Sequence, residues 1–174
     1  MSKIKPIDEE IILDRSMYIE SQTDTKGIIT SCNDYFAEIS GYTKEELIGQ
    51  PHSIVRHPDM PKVIFKLLWE RIKNGKNILA VIKNLAKDGR YYWVFTHFET
   101  LRDINTKEII GYKAYRKATS KHIIEVLLPL YKKLVEIESK EGIDASEKYL
   151  EDFLSQKGEH ITIDNLMEEI HRFY

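Results

Sequence analysis

The alternation of apolar and polar residues along the first two-thirds of the chain predicts five β-strands. Two short strands are expected within residues 17–32, on either side of a hairpin turn in which Gly27 supplies a positive φ. Three longer strands follow, and the dipeptide Asp88-Gly89 predicts a tight hairpin between the first two of them. The longer strands are expected at residues 77–87, 90–102 and 107–119.

Helical patterns fill the chain between the second and third predicted strands. One short helix is expected to end at Gly41, and another to begin at Thr43, with Glu46 three residues later as in a capping box. Residues 61–74 predict a longer helix that has a broad apolar face and Pro61 in its first turn. This order predicts an α+β fold: a five-stranded antiparallel sheet with short helices on one face, and a cavity between the 61–74 helix and the sheet.

Residues 120–174 predict a separate helical segment. Its first helix, over 120–140, has an apolar stripe too wide for a solvated surface, and Pro129 is expected to bend or break this helix. Two shorter helices are expected at 145–157 and 162–173. Either the three helices fold together as a cap, or the stripe binds another chain. The stripe consists of Ile123, Leu127, Leu130, Leu134 and Ile137.

The pattern therefore divides the chain into an N-terminal cap at 1–16, an α+β domain at 17–119 and a helical segment at 120–174 that is available for interactions. Asp144 and Glu147 are expected to act as a cap pair for the second of the C-terminal helices. A homodimer through these helices is one of the arrangements that the stripe allows.

Composition and charge narrow the classes of function. The chain has 174 residues, of which 42% are hydrophobic and 31% charged, and a net charge of −2 gives no reason to expect nucleic-acid binding. No apolar run approaches the roughly 18–20 residues that span a bilayer, and no signal peptide is expected, so the prediction is a cytoplasmic protein. Cys32 is the single cysteine. No nucleophile–base pair, P-loop or metal-ligand spacing stands out, so no enzyme is expected.

The most unusual stretch is SIVRHPDMPKVIF, at residues 53–65. Here Arg56, His57 and Asp59 stand between two prolines at the start of the apolar 61–74 helix. Such a cluster can donate and accept hydrogen bonds and carry both charges beside an apolar wall. The plainer interpretation is a loop at a helix start, with Asp59 as a cap and an ordinary surface ion pair.

The longer run NDYFAEISGYTKEELIGQPHSIVRHPDMP, together with LW, IKN and KDGRYYWV further along the chain, resembles a PAS domain over residues 17–119. The GQPHSIVRHPDMP part is similar to the narrower group of Aer-type aerotaxis and energy-taxis receptors. The resemblance implies noncovalent FAD binding and conversion of the flavin redox state into a signal through a chemoreceptor. It further implies a sensor similar to the PAS-only partner of bipartite energy-taxis systems, recruited to the inner membrane by a methyl-accepting chemoreceptor that lacks its own sensor.

The same resemblance assigns residues to the cofactor. It implies that Arg56, His57 and Asp59 support FAD binding, and a guanidinium is well suited to a diphosphate. Asn84 would match the donor and acceptor edge of the flavin ring, the alternative being an exposed strand residue. Trp69 would line the cavity or else belong to the core. The chain departs from the family at two positions, where Ile78 and Ala80 replace a common Trp and Gly.

Two other functions remain open at the level of sequence. A haem-binding PAS sensor would need an axial histidine, for which His57 and His97 are the candidates. A cofactor-free interaction module would fill its cavity with side chains. Trp93 is expected in the core, and Cys32 lies outside the motif that carries the reactive cysteine of light-sensing PAS domains.

Overall fold

Five antiparallel strands form one sheet in the computed structural model, which describes residues 4–158 and 161–173. The strands are β1 (Ile19–Thr23), β2 (Ile29–Cys32), β3 (Ile78–Leu85), β4 (Tyr91–Arg102) and β5 (Ile109–Ala118). Their order across the sheet is β2-β1-β5-β4-β3, so the N-terminal hairpin pairs with the last strand along the chain. The α+β prediction is confirmed, and all five strands lie within the predicted ranges.

Six helices cover the two faces of this sheet. Those between β2 and β3 are α1 (Asp34–Ser40), α2 (Lys44–Leu47) and α3 (Lys62–Lys73), with a 3₁₀ turn at His52–Val55. Those after β5 are α4 (Lys121–Glu141), α5 (Ile143–Ser155) and α6 (Ile163–Phe173). None of the helices in the described part of the chain is long and apolar enough to cross a membrane.

Local signals set the boundaries of the short helices. Asn33 caps α1 by accepting a hydrogen bond from the N–H of Phe36, and Gly41 ends that helix at a φ of 73°. The Thr43 hydroxyl and the Glu46 carboxylate form the predicted capping box at the start of α2. These contacts direct the chain to the 3₁₀ turn and to residues 56–59, which we call the RHPD motif, beside the sheet.

Helices α4 and α6 pack on the sheet face opposite α3, and α5 packs against α4 and α3. The Tyr131 hydroxyl of α4 donates to the carbonyl of Val81, and Trp93 stacks on the Tyr131 ring. His171 of α6 stacks on Phe95, again on this outer face. The predicted apolar stripe of α4 is buried against the chain's own core, which is the cap arrangement. A dimer through that stripe would therefore require α4 to leave the sheet.

The structure corrects two expectations for this segment. Helix α4 does not break at Pro129: only one backbone N–H is lost there, and buried residues on both sides of the proline hold the helix on the core. Asp144 and Glu147 form no cap pair, because α5 begins directly after Gly142, and both residues lie inside the helix. The Glu147 carboxylate instead accepts a hydrogen bond from Lys66 of α3.

Each of the C-terminal helices contributes one carboxylate that holds α3. The Glu138 carboxylate of α4 accepts hydrogen bonds from the backbone N–H groups of Lys62 and Val63, both at 2.9 Å. Lys66 pairs with Glu147 of α5, and Arg71 pairs with Asp164 of α6. We call the contacts made by Glu138, Glu147 and Asp164 the α3 clamp.

Residues 4–16 run along the start of β4. The N–H groups of Ile7 and Ile11 donate to the carbonyls of Gly89 and Tyr91, at 2.8 and 2.7 Å. Leu13 is buried in the core. This segment thus covers the β3–β4 hairpin, next to the place where the RHPD motif meets the sheet.

Candidate ligand-binding site

A cavity of about 240 Å³ lies between α3 and the inner face of the sheet, as predicted. Its α3 wall is apolar, and its sheet wall carries polar groups. The α3 wall consists of Phe65, Leu68, Trp69 and Ile72. The sheet wall and rim consist mainly of Ser21, Thr23, Ile82, Asn84, Phe98, Tyr112, Ala114 and Arg116.

Trp69 is a lining residue with a fixed position. Its ring meets Tyr112 edge-on, with centroids 5.4 Å apart. It also lies against Gly27, where an added Cβ would come within 3.0 Å of the indole. Gly27 has a φ of 82°, so the hairpin turn needs glycine both for its backbone and for this contact. The indole therefore forms one side of the cavity mouth.

Arg56 and Asn84 meet at the cavity, although 28 positions separate them along the chain. They form an isolated antiparallel bridge that attaches the RHPD loop to β3. The Arg56 guanidinium lies over the Phe65 ring at 4.0 Å, and burial lowers the pKa of this group. Asn84 is only 5% exposed and lines the cavity from the inner face of β3.

The structure places His57 and Asp59 away from the cavity. His57 is buried, meets Tyr91 edge-on and accepts a hydrogen bond at Nδ1 from the N–H of Asp59 at 3.0 Å. The Asp59 carboxylate accepts from Lys83 Nζ at 2.9 Å. Lys83 and Tyr91 belong to the outer side of the sheet, so the motif straddles the sheet edge. Of the five predicted site residues, the cavity unites Arg56, Asn84 and Trp69.

Sequence reasoning missed a buried arginine at the inner end of the cavity. Arg116 of β5 is 2% exposed, and its Nη1 donates to the Ser21 hydroxyl at 3.0 Å. Its Nη2 lies 2.7 Å from His52 Nε2. Burial lowers the pKa of Arg116 to about 10, which leaves the group charged at neutral pH. The alternation of side chains between the two faces of a strand could have identified Arg116 from the sequence. It occupies the same inward-facing positions of β5 as Tyr112 and Ala114.

The charged side chains among the described lining residues of the cavity are all cationic. Lys26, Arg56, Lys113 and Arg116 contribute four cationic side chains, and none of the described residues that line the cavity is Asp or Glu. The whole chain, by contrast, has a net charge of −2. No group of three or more acidic, His or Cys side chains in the described residues could hold a metal ion. The arrangement favours an organic ligand with an apolar body and negative charge.

The remaining sequence candidates lie elsewhere. His97 is half exposed on the outer face with Glu99, 3.6 Å away, so neither haem candidate faces the cavity. Ile78 is buried with Ile72 and Tyr112 in a small cluster below Trp69, and Ala80 is buried beside it on β3. Cys32 ends β2, and burial raises the pKa of its thiol.

Residues 29–115 match the PAS fold family, a range that includes most of the cavity lining and lies inside the predicted sensor domain. The chain belongs to the PAS family. Its PAS region is 41% identical over 114 residues to the aerotaxis receptor of Escherichia coli K12, an alignment that covers 66% of this chain and 22% of that receptor. It is 29% identical over 92 residues to the biofilm dispersion protein BdlA of Pseudomonas aeruginosa, covering 52% and 22%. The chain thus spans about a fifth of the length of these relatives.

Solved PAS structures share the fold. A PAS domain from Colwellia psychrerythraea superposes with a TM-score of 0.54 at 24% identity, over 60% of this chain and 87% of that one. The light-state structure of the blue-light photoreceptor Aureochrome1 LOV gives a TM-score of 0.56 at 20% identity, over 64% and 88%. At these identities the likeness concerns the fold alone, and the cavity between α3 and the sheet is a feature of this chain's own structure.

Proposed function

We propose that this PAS domain is a redox sensor for energy taxis that binds FAD noncovalently in the cavity. The observation that carries the proposal is the cationic lining, without a carboxylate among its described residues, opposite an apolar helix wall. A dinucleotide with a flat ring and a diphosphate has the complementary chemistry. The 41% identity to the PAS region of an aerotaxis receptor supports the same assignment.

The size of the cavity limits how such a ligand would lie. A volume of about 240 Å³ is slightly below the roughly 300–1,000 Å³ of most small-molecule pockets, so it suits a ring system rather than a whole dinucleotide. In this proposal the ring lies against Trp69 and Phe65, and the diphosphate lies at the mouth near Arg56.

The residues of the chain would bind and orient the cofactor. The amide of Asn84 can donate to and accept from the ring edge, and the α3 side chains would exclude water from its faces. When bound, FAD supplies reversible uptake of electrons and protons. His57 and Asp59 would act indirectly, by holding the loop that presents Arg56. We propose binding and signalling, and no catalysis.

The α3 clamp offers a route for the output. Helix α3 lines the cavity with one side and contacts α4, α5 and α6 through Glu138, Glu147 and Asp164 on the other. A change at the ring that moves α3 would alter these three contacts together. We propose that the C-terminal helices then signal to a methyl-accepting membrane chemoreceptor that lacks its own sensor. In this proposal the chain works in the cytoplasm and is held at the inner membrane by that partner.

One experiment tests the cofactor. The purified chain, after incubation with FAD and gel filtration, is expected to absorb in the blue and near ultraviolet, and denaturation should release FAD identifiable by mass. A sharp Soret band would favour the haem alternative. Chain that remains colourless would favour a cofactor-free interaction module. Released FMN would remove the need for the adenine and diphosphate contacts, and chromophore retained by the precipitated chain would contradict noncovalent binding.

A further inference from the structure

A second cavity, an open groove of about 510 Å³, lies on the outer face of the sheet. One side of α4 forms its long wall, and the N-terminal segment with Asp8 and Glu10 forms the wall opposite. The buried rings of Trp93 and Tyr131 lie between the two walls. We call this feature the outer groove. Its α4 wall is a different side of the helix from the apolar stripe that packs on the sheet.

The groove side of α4 combines apolar and charged residues in a regular pattern. Ile124, Leu128 and Val135 are half-buried and line the outer groove, and the exposed Glu125 and Lys132 line it beside them. Spacings of four and seven residues keep all five side chains on one side of the helix. An apolar seam flanked by charges is the surface that one helix presents to another helix.

Glu125 and Lys132 have no salt-bridge partner among the described residues. The ion pairs within α4 are those that Glu136 forms with Lys133 and Lys140. Glu125 and Lys132 are seven residues apart, which is about 10 Å along the helix axis. Ion pairs within a helix join residues three or four positions apart, so these two charges are available to another chain.

A second copy of the chain carries the complementary pattern. If two α4 helices run antiparallel with the two-fold axis beside Leu128, Glu125 of each copy lies opposite Lys132 of the other. The same register brings Ile124 of each copy within about 3 Å, measured along the axis, of Val135 of the other. One register therefore pairs both charges and joins both halves of the apolar seam. A parallel pair in register would place like charges opposite each other.

We propose that the outer groove binds α4 of a second copy of this chain, in an antiparallel dimer centred on Leu128. The apolar stripe of α4 stays on the sheet, so the dimer forms without any rearrangement of the C-terminal helices. The contact requires neither FAD nor a receptor, so the inference is independent of the proposed function. Because exposed charges form part of the interface, the dimer should weaken as the salt concentration rises.

Analytical ultracentrifugation of the full chain tests the proposal. We expect the unmodified chain to dimerise, and E125K and K132E each to raise the dissociation constant roughly tenfold, because two attractive pairs become repulsive at once. The double variant E125K/K132E should restore the dimer. An equimolar mixture of the two single variants should also dimerise, since every facing pair in the mixed dimer is again of opposite charge. E151K is the matched control, because Glu151 is exposed on α5 outside the outer groove.

A disulfide cross-link covers the case in which the charge variants fold poorly. With C32S removing the single natural cysteine, L128C should give a covalent dimer on oxidation, because its two copies meet at the two-fold axis. V126C should not, although Val126 is 53% exposed on another side of α4. An unmodified chain that stays monomeric up to about 1 mM would overturn the proposal. Single charge variants that dimerise like the parent, a mixture that stays monomeric, or preferential cross-linking of V126C would overturn it as well.

Discussion

Arg56 and His57 are consecutive along the chain, yet their side chains lie on opposite sides of the sheet edge. The Arg56 guanidinium stacks on Phe65 at the cavity, whereas His57 is buried toward Tyr91 and binds the backbone of Asp59. The bridge between Arg56 and Asn84 fixes this arrangement, because neighbouring residues of an extended segment point to opposite faces. One short motif therefore combines a ligand-facing residue with a structural one.

This difference predicts separate effects for two alanine substitutions. R56A should weaken FAD binding about tenfold or more, since a charge-assisted hydrogen bond is worth roughly 1.5–3 kcal/mol, and should leave the melting temperature nearly unchanged. H57A should lower stability by about 1–3 kcal/mol, because it leaves the Asp59 N–H without its acceptor. Titration calorimetry and thermal melts separate the two effects. Equal losses of affinity in both variants, at equal stability, would place His57 at the ligand.

The buried His57 also predicts a pH dependence of stability. Burial, aided by the nearby Lys83, lowers the pKa of His57 from 6.5 to about 4, against a smaller opposing effect of Asp59. Between these two pH values the unfolded chain binds a proton that the folded chain does not, so the free energy of unfolding falls as the pH decreases from about 6.5 to about 4. We expect this residue to contribute a loss of about 1–3 kcal/mol.

Urea unfolding at a series of pH values checks this, with H57N as the comparison. The asparagine retains an acceptor for the Asp59 N–H but has no proton to bind in this range. His52, whose pKa is lowered mainly by burial and then by Arg116, contributes a loss of the same sign in both chains. The difference between the two curves therefore isolates His57. Parallel curves between pH 6.5 and 4 would show that His57 does not titrate as the buried geometry requires.

The contact between Gly27 and Trp69 predicts that an added methyl group reaches the ligand. G27A places a Cβ 3.0 Å from the indole at a φ of 82°, whereas Gly49, with a φ of 85°, has nothing within 4 Å of its Cβ position. G49A is the matched control. Both G27A and G49A place an L-residue in the left-handed region, which costs about 1–2 kcal/mol. Only G27A should also shift the Trp69 fluorescence and weaken FAD binding. The two variants behaving alike in FAD titrations would remove Trp69 from the cavity wall.

Much of the framework was predictable because its signals are local. The Gly27 turn, the Thr43–Glu46 capping box and the Asp88-Gly89 hairpin depend on residues within a few positions of one another, and each stands at its predicted place. The cavity between α3 and the sheet followed from the order of elements, and so did its α3 wall with Trp69.

The rest of the site depends on partners that are distant along the chain. Arg116 meets Ser21 across 95 positions and His52 across 64, and no local pattern brings these three residues together. Adjacency in sequence groups His57 and Asp59 with Arg56, whereas the edge of the sheet separates them in space. The partner of Glu147 on α3 depends on where α5 packs, so the sequence alone favours a cap for this carboxylate.

The contact of Glu138 with α3 gives the last prediction. Its carboxylate accepts from two N–H groups at the start of α3 and from the Ser146 hydroxyl at 3.3 Å. Those N–H groups have no acceptor within the helix, and negative charge there is favourable. E138A should therefore lower the free energy of unfolding by about 1–2 kcal/mol and speed amide hydrogen exchange at Lys62 and Val63.

E136A is the matched control, since Glu136 lies on the same helix but, among the described residues, forms ion pairs only with Lys133 and Lys140 at the surface. E136A should leave the free energy of unfolding almost unchanged, because exposed ion pairs contribute little. If the α3 clamp transmits the redox state, reduction of bound FAD should change exchange rates in α4 of the unmodified chain and of E136A, and the change should shrink in E138A. Because the clamp joins α3 to α4 at this carboxylate, an undiminished response in E138A would mean that the signal leaves the cavity through the sheet instead.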